Sequence, residues 1–501
     1  MAINKMKSDV PAVRIRQAHG TQIHGDGDYV LYWMIANRRT GWNFSLQRAV
    51  DWAIELKKPL VVLEALRCGY KWASDRIHRF VIHGMADNAQ VFSKSPVTYY
   101  PYLERQAGDG DGLLAALAAR ACVVVSDDFP CFFLPRMITA AARQIPVRFE
   151  LIDSNGLFPM RATDRIFSRA FDFRRFLQKT LTPHLAELPE EHPLAAAKLP
   201  RLGELPLEIT NRWPAEDEPQ LKTLAENLSK FAIDHNVRGS LLDGGAQAAN
   251  RQMQLFLDER LRDYADARNQ PQQEVASGLS PYLHFGHISA HEVFTATMAR
   301  VKWTPDKLAT KVTGSSTGWW GVDRAAESFL DELITWRELG YNMCSQRADY
   351  ARYSSLPDWA QATLAEHAND PRQHTYTLEE FAHSRTHDPL WNAAQRQLVR
   401  EGRMHNYLRM LWGKKILEWS PSPQDALTAM IELNNKYALD GRNPNSYSGI
   451  FWVLGRYDRP WGPERPIYGK IRYMTSENTA RKVKVNEYIE KYGPHEQRDL
   501  F

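Results

Sequence analysis

The sequence predicts an N-terminal α/β domain built on a doubly wound, Rossmann-like parallel sheet, followed by an all-helical C-terminal domain. Three observations predict it: alternating apolar runs and amphipathic stretches in the first third, a proline-rich break, and helical periodicity with faded strand signals beyond it. Tyr29–Met34 (YVLYWM) and residues 59–66 (PLVVLEAL) read as buried strands with a helix at 45–56 between them. Residues 121–126 (ACVVVS) and 147–153 (VRFELID) repeat the pattern around a helical stretch at 134–144, and strand, helix, strand in this rhythm implies parallel pairing. No GxGxxG follows the first strand, so the usual dinucleotide site is not indicated there. Pro183, Pro189, Pro193, Pro200, Pro206, Pro214 and Pro219 then break any long element. The expected organisation is an α/β domain over 1–181, a linker over 182–235 and a helical domain over 236–501. In the last, Met404, Leu408, Leu411, Trp412, Ile416 and Trp419 return every three or four residues.

The 501 residues carry 44% hydrophobic and 24% charged side chains, which excludes a disordered chain and supports two or three domains. Fifteen Trp, 20 Tyr and 20 Phe exceed packing needs, and indoles also stack planar ligands or relay single electrons. A net charge of +4 points only weakly to a polyanionic partner. From Arg456 onward, however, Arg459, Arg465, Lys470, Arg472, Arg481, Lys482 and Lys484 interleave with Tyr457, Trp461, Tyr468 and Tyr473, a pattern that suits phosphate contact with base stacking, or equally a solvated helical face. Cys68, Cys122, Cys131 and Cys344 have neither CxxC spacing nor a paired framework, so no metal site and no disulfide scaffold is expected. Residues 1–16 contain no apolar signal-peptide core, and no apolar run approaches the roughly 18 residues that cross a bilayer. A cytoplasmic protein without membrane contact is expected.

Four constellations carry candidate chemistry. Tyr264 to Pro271 (YADARNQP) precedes Ser277, Leu279 and Ser280 in SGLSPYLHFG, where small residues before a helix offer backbone N–H groups to phosphate; alone, Ser280-Pro281 is an N-cap followed by an N1 proline. Glu332 and Trp336 stand one helical turn apart, a carboxylate beside an aromatic plate, where burial raises the carboxyl pKa and lets it donate to a base; a surface ion pair with Arg337 fits the spacing as well. Trp391 lies in THDPLWN, and Trp412 and Trp419 share one helical stripe, a pattern also typical of core. Asn434-Asn435 and then DGRNPNSYSG from Asp440, ending at Phe451-Trp452, suggest a loop organised around a polar ligand.

In this order, with SPYLHFG, THDPLWNAAQ, KKILEW and GKIRYM between residues 264 and 474, the chain resembles the photolyase and cryptochrome family, and within it the class II cyclobutane pyrimidine dimer photolyases. The first 180 residues match more loosely, chiefly in YWM at 32–34. The resemblance implies FAD in the helical domain, with Tyr264, Ser277, Leu279 and Ser280 at its diphosphate side. Arg409 and Asp440 correspond to an ion pair beside the isoalloxazine, and Asn434 to an asparagine facing its central ring nitrogen, although the adjacent Asn435 can be confused with it. Arg268, Asn269, Trp336, Met410 and Trp452 fall at the lesion and Arg459 and Arg472 at the DNA, while Glu332 binds the pyrimidine. Trp391 and Trp412 match an electron relay, with Tyr376 as a branch and Trp419 left as core.

The activity so implied is light-driven splitting of pyrimidine dimers in damaged DNA by reduced FAD, a carbon–carbon lyase reaction performed by a monomer. The sequence does not reveal an antenna chromophore; by fold analogy alone the carboxyl edge of the sheet could hold a deazaflavin, a folate or nothing. The rival is a cryptochrome-like FAD photoreceptor without repair, which the absence of a long tail after Leu500 mildly disfavours. Departures from the class II pattern fall at Asn406, Leu408, Leu411 and Tyr457, and the insert 314–321 (GSSTGWWG) has no counterpart.

Overall fold

The computed structural model describes residues 8–19, 22–195 and 197–494; the start of the chain and the end near Leu500, both weighed above, lie partly or wholly outside them. Contacts group the chain into two compact units. The first comprises Met1–Asp164, Thr180–Gln254 and Gly278–Lys302, the second Arg165–Lys179, Leu255–Ser277 and Trp303–Phe501.

The first unit holds a six-stranded sheet of β1 (Ile15–His19), β2 (Tyr29–Met34), β3 (Leu60–Leu66), β4 (Thr98–Leu103), β5 (Ala121–Asp127) and β6 (Arg148–Ile152), in the spatial order β1-β6-β5-β2-β3-β4. All pairs are parallel except β1 with β6. The chain winds outward from β2 through β3 to β4, returns to β5 on the other side of β2, and continues to β6, so winding reverses between β2 and β5. Every residue of β2 and β5 is buried, which explains why both read as unbroken apolar runs instead of alternating ones. The following helix α1 (Phe44–Leu56) starts on Asn43, whose side chain accepts from the N–H groups of Ser45 and Leu46, and its Phe44, Leu46, Val50 and Trp52 pack on Val30, Tyr32 and Met34.

At the reversal point, the Asp127 carboxylate closes β5 onto β2. It accepts from the N–H groups of Ile35, Ala36 and Asn37 at 2.9, 2.7 and 3.0 Å and from the Tyr32 hydroxyl at 2.8 Å. These are the donors an incoming phosphate uses at such a point, which agrees with the missing glycine fingerprint.

Elements without a clear periodic signal are β1, β4, α2 (Asp75–Phe92) and α3 (Leu113–Ala118). The segment expected as a linker, 182–235, carries the helix Glu218–Glu226 behind an Asp217–Gln220 capping box, and its Leu221, Ala225, Leu228 and Phe231 are buried with Ile77, Val81 and Met85 of α2.

The second unit is helical. One long helix runs from Arg324–Leu330 through a π-helical segment, Asp331–Trp336, into Arg337–Gln346; others are Pro389–Glu401, Asn406–Trp419, Pro423–Tyr437 and Pro444–Val453. Gly340 allows two of them to touch: a Cβ there meets the Pro444 carbonyl oxygen at 2.7 Å and the Ser448 Oγ at 2.8 Å. Because the obstruction is backbone, Gly340→Ala is expected to destabilise the fold by ~1–3 kcal/mol, read as a lower urea midpoint at unchanged slope.

The insert 314–321 is part of this helical unit. Gln178 accepts from the Gly314 N–H and donates to the Ser315 carbonyl, Glu327 accepts from the Gly318 and Trp320 N–H groups, and Trp319 and Trp320 are buried. The four cysteines are free and buried, no helix among the described residues is long and apolar enough to cross a membrane, and no group of three or more His, Cys, Asp or Glu among them could hold a metal ion.

Candidate functional site

The first cluster forms where π-helical segments interrupt two helical stretches, Phe256–Arg260 just before Tyr264 and Asp331–Trp336 around Glu332. Such turns add a residue, redirect the side chains that follow, and favour functional sites. Arg268 Nη1 donates to Glu332 Oε1 at 2.6 Å, its guanidinium lying 5.6 Å from the centroid of the Tyr264 ring. About a third of each charged side chain stays open to solvent (32% for both), yet burial is strong enough to push the Glu332 carboxyl above its ordinary range, with Arg268 pulling the other way. The alternative partner, Arg337, is itself buried and stacks on Tyr341 at 4.6 Å, so the surface ion pair considered for Glu332 does not form. Trp336 closes the π segment half-buried, and Asn269 is exposed beside Arg268.

Asn434 and Asn435 are distinguished by their partners. Asn435 is committed: its Oδ1 accepts from the Arg442 N–H at 2.8 Å and its Nδ2 donates to the Tyr447 hydroxyl at 3.2 Å, fixing a turn in which Arg442 has φ 62°. Asn434, only 2% exposed, donates through Nδ2 to Ser446 Oγ at 2.7 Å, and no protein donor among the described residues reaches its Oδ1. A buried amide held at one end with an open acceptor at the other suits a ligand N–H. Arg409 and Asp440 form a two-bond ion pair, Nη2 to Oδ1 at 3.1 Å and Nη1 to Oδ2 at 3.3 Å, with about a fifth of each side chain exposed. Met410, next along that helix, is half-buried.

Of the residues assigned to a diphosphate, Tyr264 and Ser277 fall in the helical unit and Leu279 and Ser280 in the α/β unit. Ser280 is not the N-cap: the helix Ser280–Phe285 is capped by Leu279 without a side-chain bond, because Gly278 at φ 69° turns the chain one residue earlier. Ser280 is exposed and Leu279 buried.

A third cluster surrounds Trp452. Lys414, fully buried, lies 5.0 Å from the Trp452 ring centroid and donates to the Val453 carbonyl at 2.6 Å; burial lowers its pKa to about 7. Arg472 lies 5.4 Å from the same ring and 4.1 Å from Trp461, held by Asp458 at 3.0 Å with 40% of its side chain exposed. Arg459 is exposed over Trp461 at 4.7 Å. Two residues leave the proposed basic stretch: Arg456 is buried and donates to the Tyr350 carbonyl, and Lys470 is paired with Glu464 at 2.9 Å.

Trp391 and Trp412 are both buried; the Trp391 indole donates to the Trp412 carbonyl at 3.0 Å and the Trp412 indole to Gln395 Oε1 at 2.8 Å. Trp419 is buried, as its assignment to the core expects, and its ring stands 5.9 Å from Trp391, 5.6 Å from the half-buried Tyr376 and 5.0 Å from the exposed His387, so a row of ring contacts continues outward from Trp391. Among the departures, Leu408 and Leu411 are core, Asn406 is exposed, and Tyr457 is buried at φ 68°.

Sequence reasoning missed Ser446, Lys414, Asp458 and His387. Each acts through a partner distant in sequence or through burial that a lysine does not advertise; only DP after His387 gave a local signal, a helix start.

Comparison with known proteins follows this geometry. No family model matches the chain. A deoxyribodipyrimidine photo-lyase of Methanothermobacter thermautotrophicus is 32% identical over 483 residues, covering 96% of this chain and 98% of that one. That of Oryza sativa subsp. japonica is 33% identical over 475 residues, covering 92% and 87%. Solved structures share the fold: a class III photolyase from Agrobacterium tumefaciens (TM-score 0.64, 18% identity, 93% of this chain and 86% of that one), a cryptochrome from Synechocystis sp. PCC6803 (0.63, 15%, 93% and 88%), and an archaeal photolyase from Sulfolobus tokodaii with two FAD molecules (0.63, 14%, 94% and 91%).

Proposed function

Because the chain belongs to the photolyase and cryptochrome family, we propose that it is a deoxyribodipyrimidine photo-lyase that splits cyclobutane pyrimidine dimers in DNA under blue light, in the manner of class II members. The observation that carries repair is the half-buried Glu332 with its raised pKa, clasped by Arg268 but still open to solvent, a carboxyl kept ready for a polar ligand.

FAD fits the residues of the helical unit: Asn434 offers an unfilled acceptor, and the Arg409–Asp440 pair presents both charges at a partly open surface. Bound there in its reduced form, FAD would supply one-electron donor chemistry for opening the cyclobutane ring. The chain's own residues do the rest. Ser446 holds the Asn434 amide so that Oδ1 faces the ligand, and Arg409 and Asp440 fix each other's orientation. Burial raises the Glu332 pKa and so favours its protonated form, in which the carboxyl would donate to a pyrimidine carbonyl and steady negative charge there. Photolyases are among the enzymes that take their target out of the stack, and Trp336 and Trp452 offer plates for the extruded dimer while Arg268, Asn269 and Met410 line it. Arg459 and Arg472 meet phosphates. The protein works as a monomer in the cytoplasm, and the domains are assigned as an α/β domain over 1–181, a connecting segment over 182–235 and a catalytic domain over 236–501. An antenna chromophore, deazaflavin or folate, would bind at the carboxyl edge of the sheet, where Asp127 already takes the N–H groups of Ile35, Ala36 and Asn37.

Reduced protein mixed with thymine-dimer oligonucleotide is expected to restore thymine absorbance under blue light, and not to do so with a (6-4) lesion. FAD-containing protein that restores neither identifies a photoreceptor instead, and a colourless preparation overturns the flavin assignment. Arg472→Ala is expected to weaken dimer-DNA binding and reduce the slope of log affinity against log salt by about 1; fluorescence anisotropy across a salt series measures both.

A further inference from the structure

The indole row ends at a tyrosine whose proton has a defined destination. Trp391 is fully buried and touches Trp419, which in turn touches Tyr376, half-buried, and His387, exposed. The Tyr376 hydroxyl is bonded twice: the backbone N–H of His387 lies 3.0 Å from it and His387 Nδ1 2.7 Å. The backbone N–H can only donate, so it fills one oxygen lone pair. In the neutral imidazole with its hydrogen on Nε2, Nδ1 accepts the phenolic hydrogen across the 2.7 Å contact, and this is the arrangement the proposal uses.

We propose that His387 is the proton acceptor that allows Tyr376 to fill an electron vacancy on Trp419. In this step one electron passes from the Tyr376 ring to the oxidised Trp419 indole, the phenolic O–H bond breaks, and an N–H bond forms at His387 Nδ1. The products are a neutral tyrosyl radical, an imidazolium and a closed-shell Trp419. The inference rests on the proposed function only for the natural one-electron oxidant, a photoexcited oxidised flavin.

The surroundings keep the acceptor unprotonated. Burial lowers the His387 pKa; His374, stacked on it at 3.9 Å, and Lys415 push the same way, while Asp388 and Glu418 oppose them. The imidazole thus remains a base through neutral pH and loses that capacity only in acid, where protonated Nδ1 blocks the transfer.

The test makes the vacancy without flavin, by flash-quench oxidation of the purified full chain with a ruthenium(III) polypyridyl, followed by transient absorption and freeze-trapped electron paramagnetic resonance. Wild type minus Tyr376→Phe isolates the signal of this residue among the other tyrosines. A neutral tyrosyl radical is expected at mildly alkaline pH, disappearing in acid. His387→Gln keeps a hydrogen-bond acceptor without a base, and is expected to slow radical formation about a hundredfold and to flatten its pH profile. Equal rate and pH profile in His387→Gln, or no Tyr376-dependent radical in the wild type, overturns the proposal. A colourless or repair-inactive preparation bears on the function proposed above and leaves this experiment intact.

Discussion

Glu332→Ala is expected to lower the quantum yield of dimer splitting at least tenfold while changing the affinity for dimer-containing DNA by less than about threefold. A hydrogen bond to a charged group is worth ~1.5–3 kcal/mol, and 1.4 kcal/mol is tenfold in rate. The resting dimer is uncharged, so the bond from Glu332 strengthens only when an electron reaches the pyrimidine carbonyl, and its loss falls on the reaction rather than on binding. The sign of the pH dependence follows from the raised pKa: the protonated carboxyl donates, and as pH rises through the raised value the donor is lost and the yield falls. Glu332→Gln retains a donor at every pH and is expected to keep most of the yield with a flatter profile. Arg268→Ala removes the opposing cation and is expected to move the fall in yield to higher pH. Repair quantum yields across a pH series decide the matter, and an unchanged yield in Glu332→Ala refutes the role.

The parts of this molecule that sequence made legible are those in which one local pattern has one physical cause. β2 and β5 read as strands because both faces of each are buried, so every side chain is apolar or hydrogen-bonded inside. β1, mostly exposed at the sheet edge, and β4, interrupted by Pro101, lack that signal. α2 buries Arg76, His78 and Asn88 among its apolar residues, which blurs its helical stripe. At the site, the pairing of Arg268 with Glu332 across 64 residues and of Arg409 with Asp440 across 31 is invisible to spacing. The second came from family resemblance, whereas the π-helical segments that aim Glu332 had no sequence signal at all. The difference between Asn434 and Asn435 is likewise a matter of partners, Ser446 against Arg442 and Tyr447, that only the folded chain supplies.

Trp412→Phe is expected to abolish light-driven reduction of oxidised flavin and to leave dimer repair by chemically reduced protein within about twofold of wild type. Phenylalanine keeps an aromatic plate in the buried position but is far harder to oxidise than indole, so an electron vacancy cannot rest there. The pre-reduced protein does not need that vacancy, and its repair depends on Glu332 and the lesion-facing residues instead. The substitution also removes the indole N–H that meets Gln395 Oε1 at 2.8 Å, at a cost of ~1–3 kcal/mol for an acceptor left unpaired in the core. That loss lowers the thermal midpoint, but a folded population large enough for both assays is expected. Trp391→Phe is expected to behave the same way, because Trp391 links Trp412, through the carbonyl at 3.0 Å, to Trp419 and the surface. Trp419→Phe separates the two ways out. If the vacancy leaves through Trp419 to Tyr376, flavin photoreduction falls with it; if photoreduction persists, Trp391 has another exit and Trp419 serves packing alone. Parallel loss of photoreduction and of pre-reduced repair in Trp412→Phe assigns that indole to structure, since no electron relay is needed once reduction is supplied from outside.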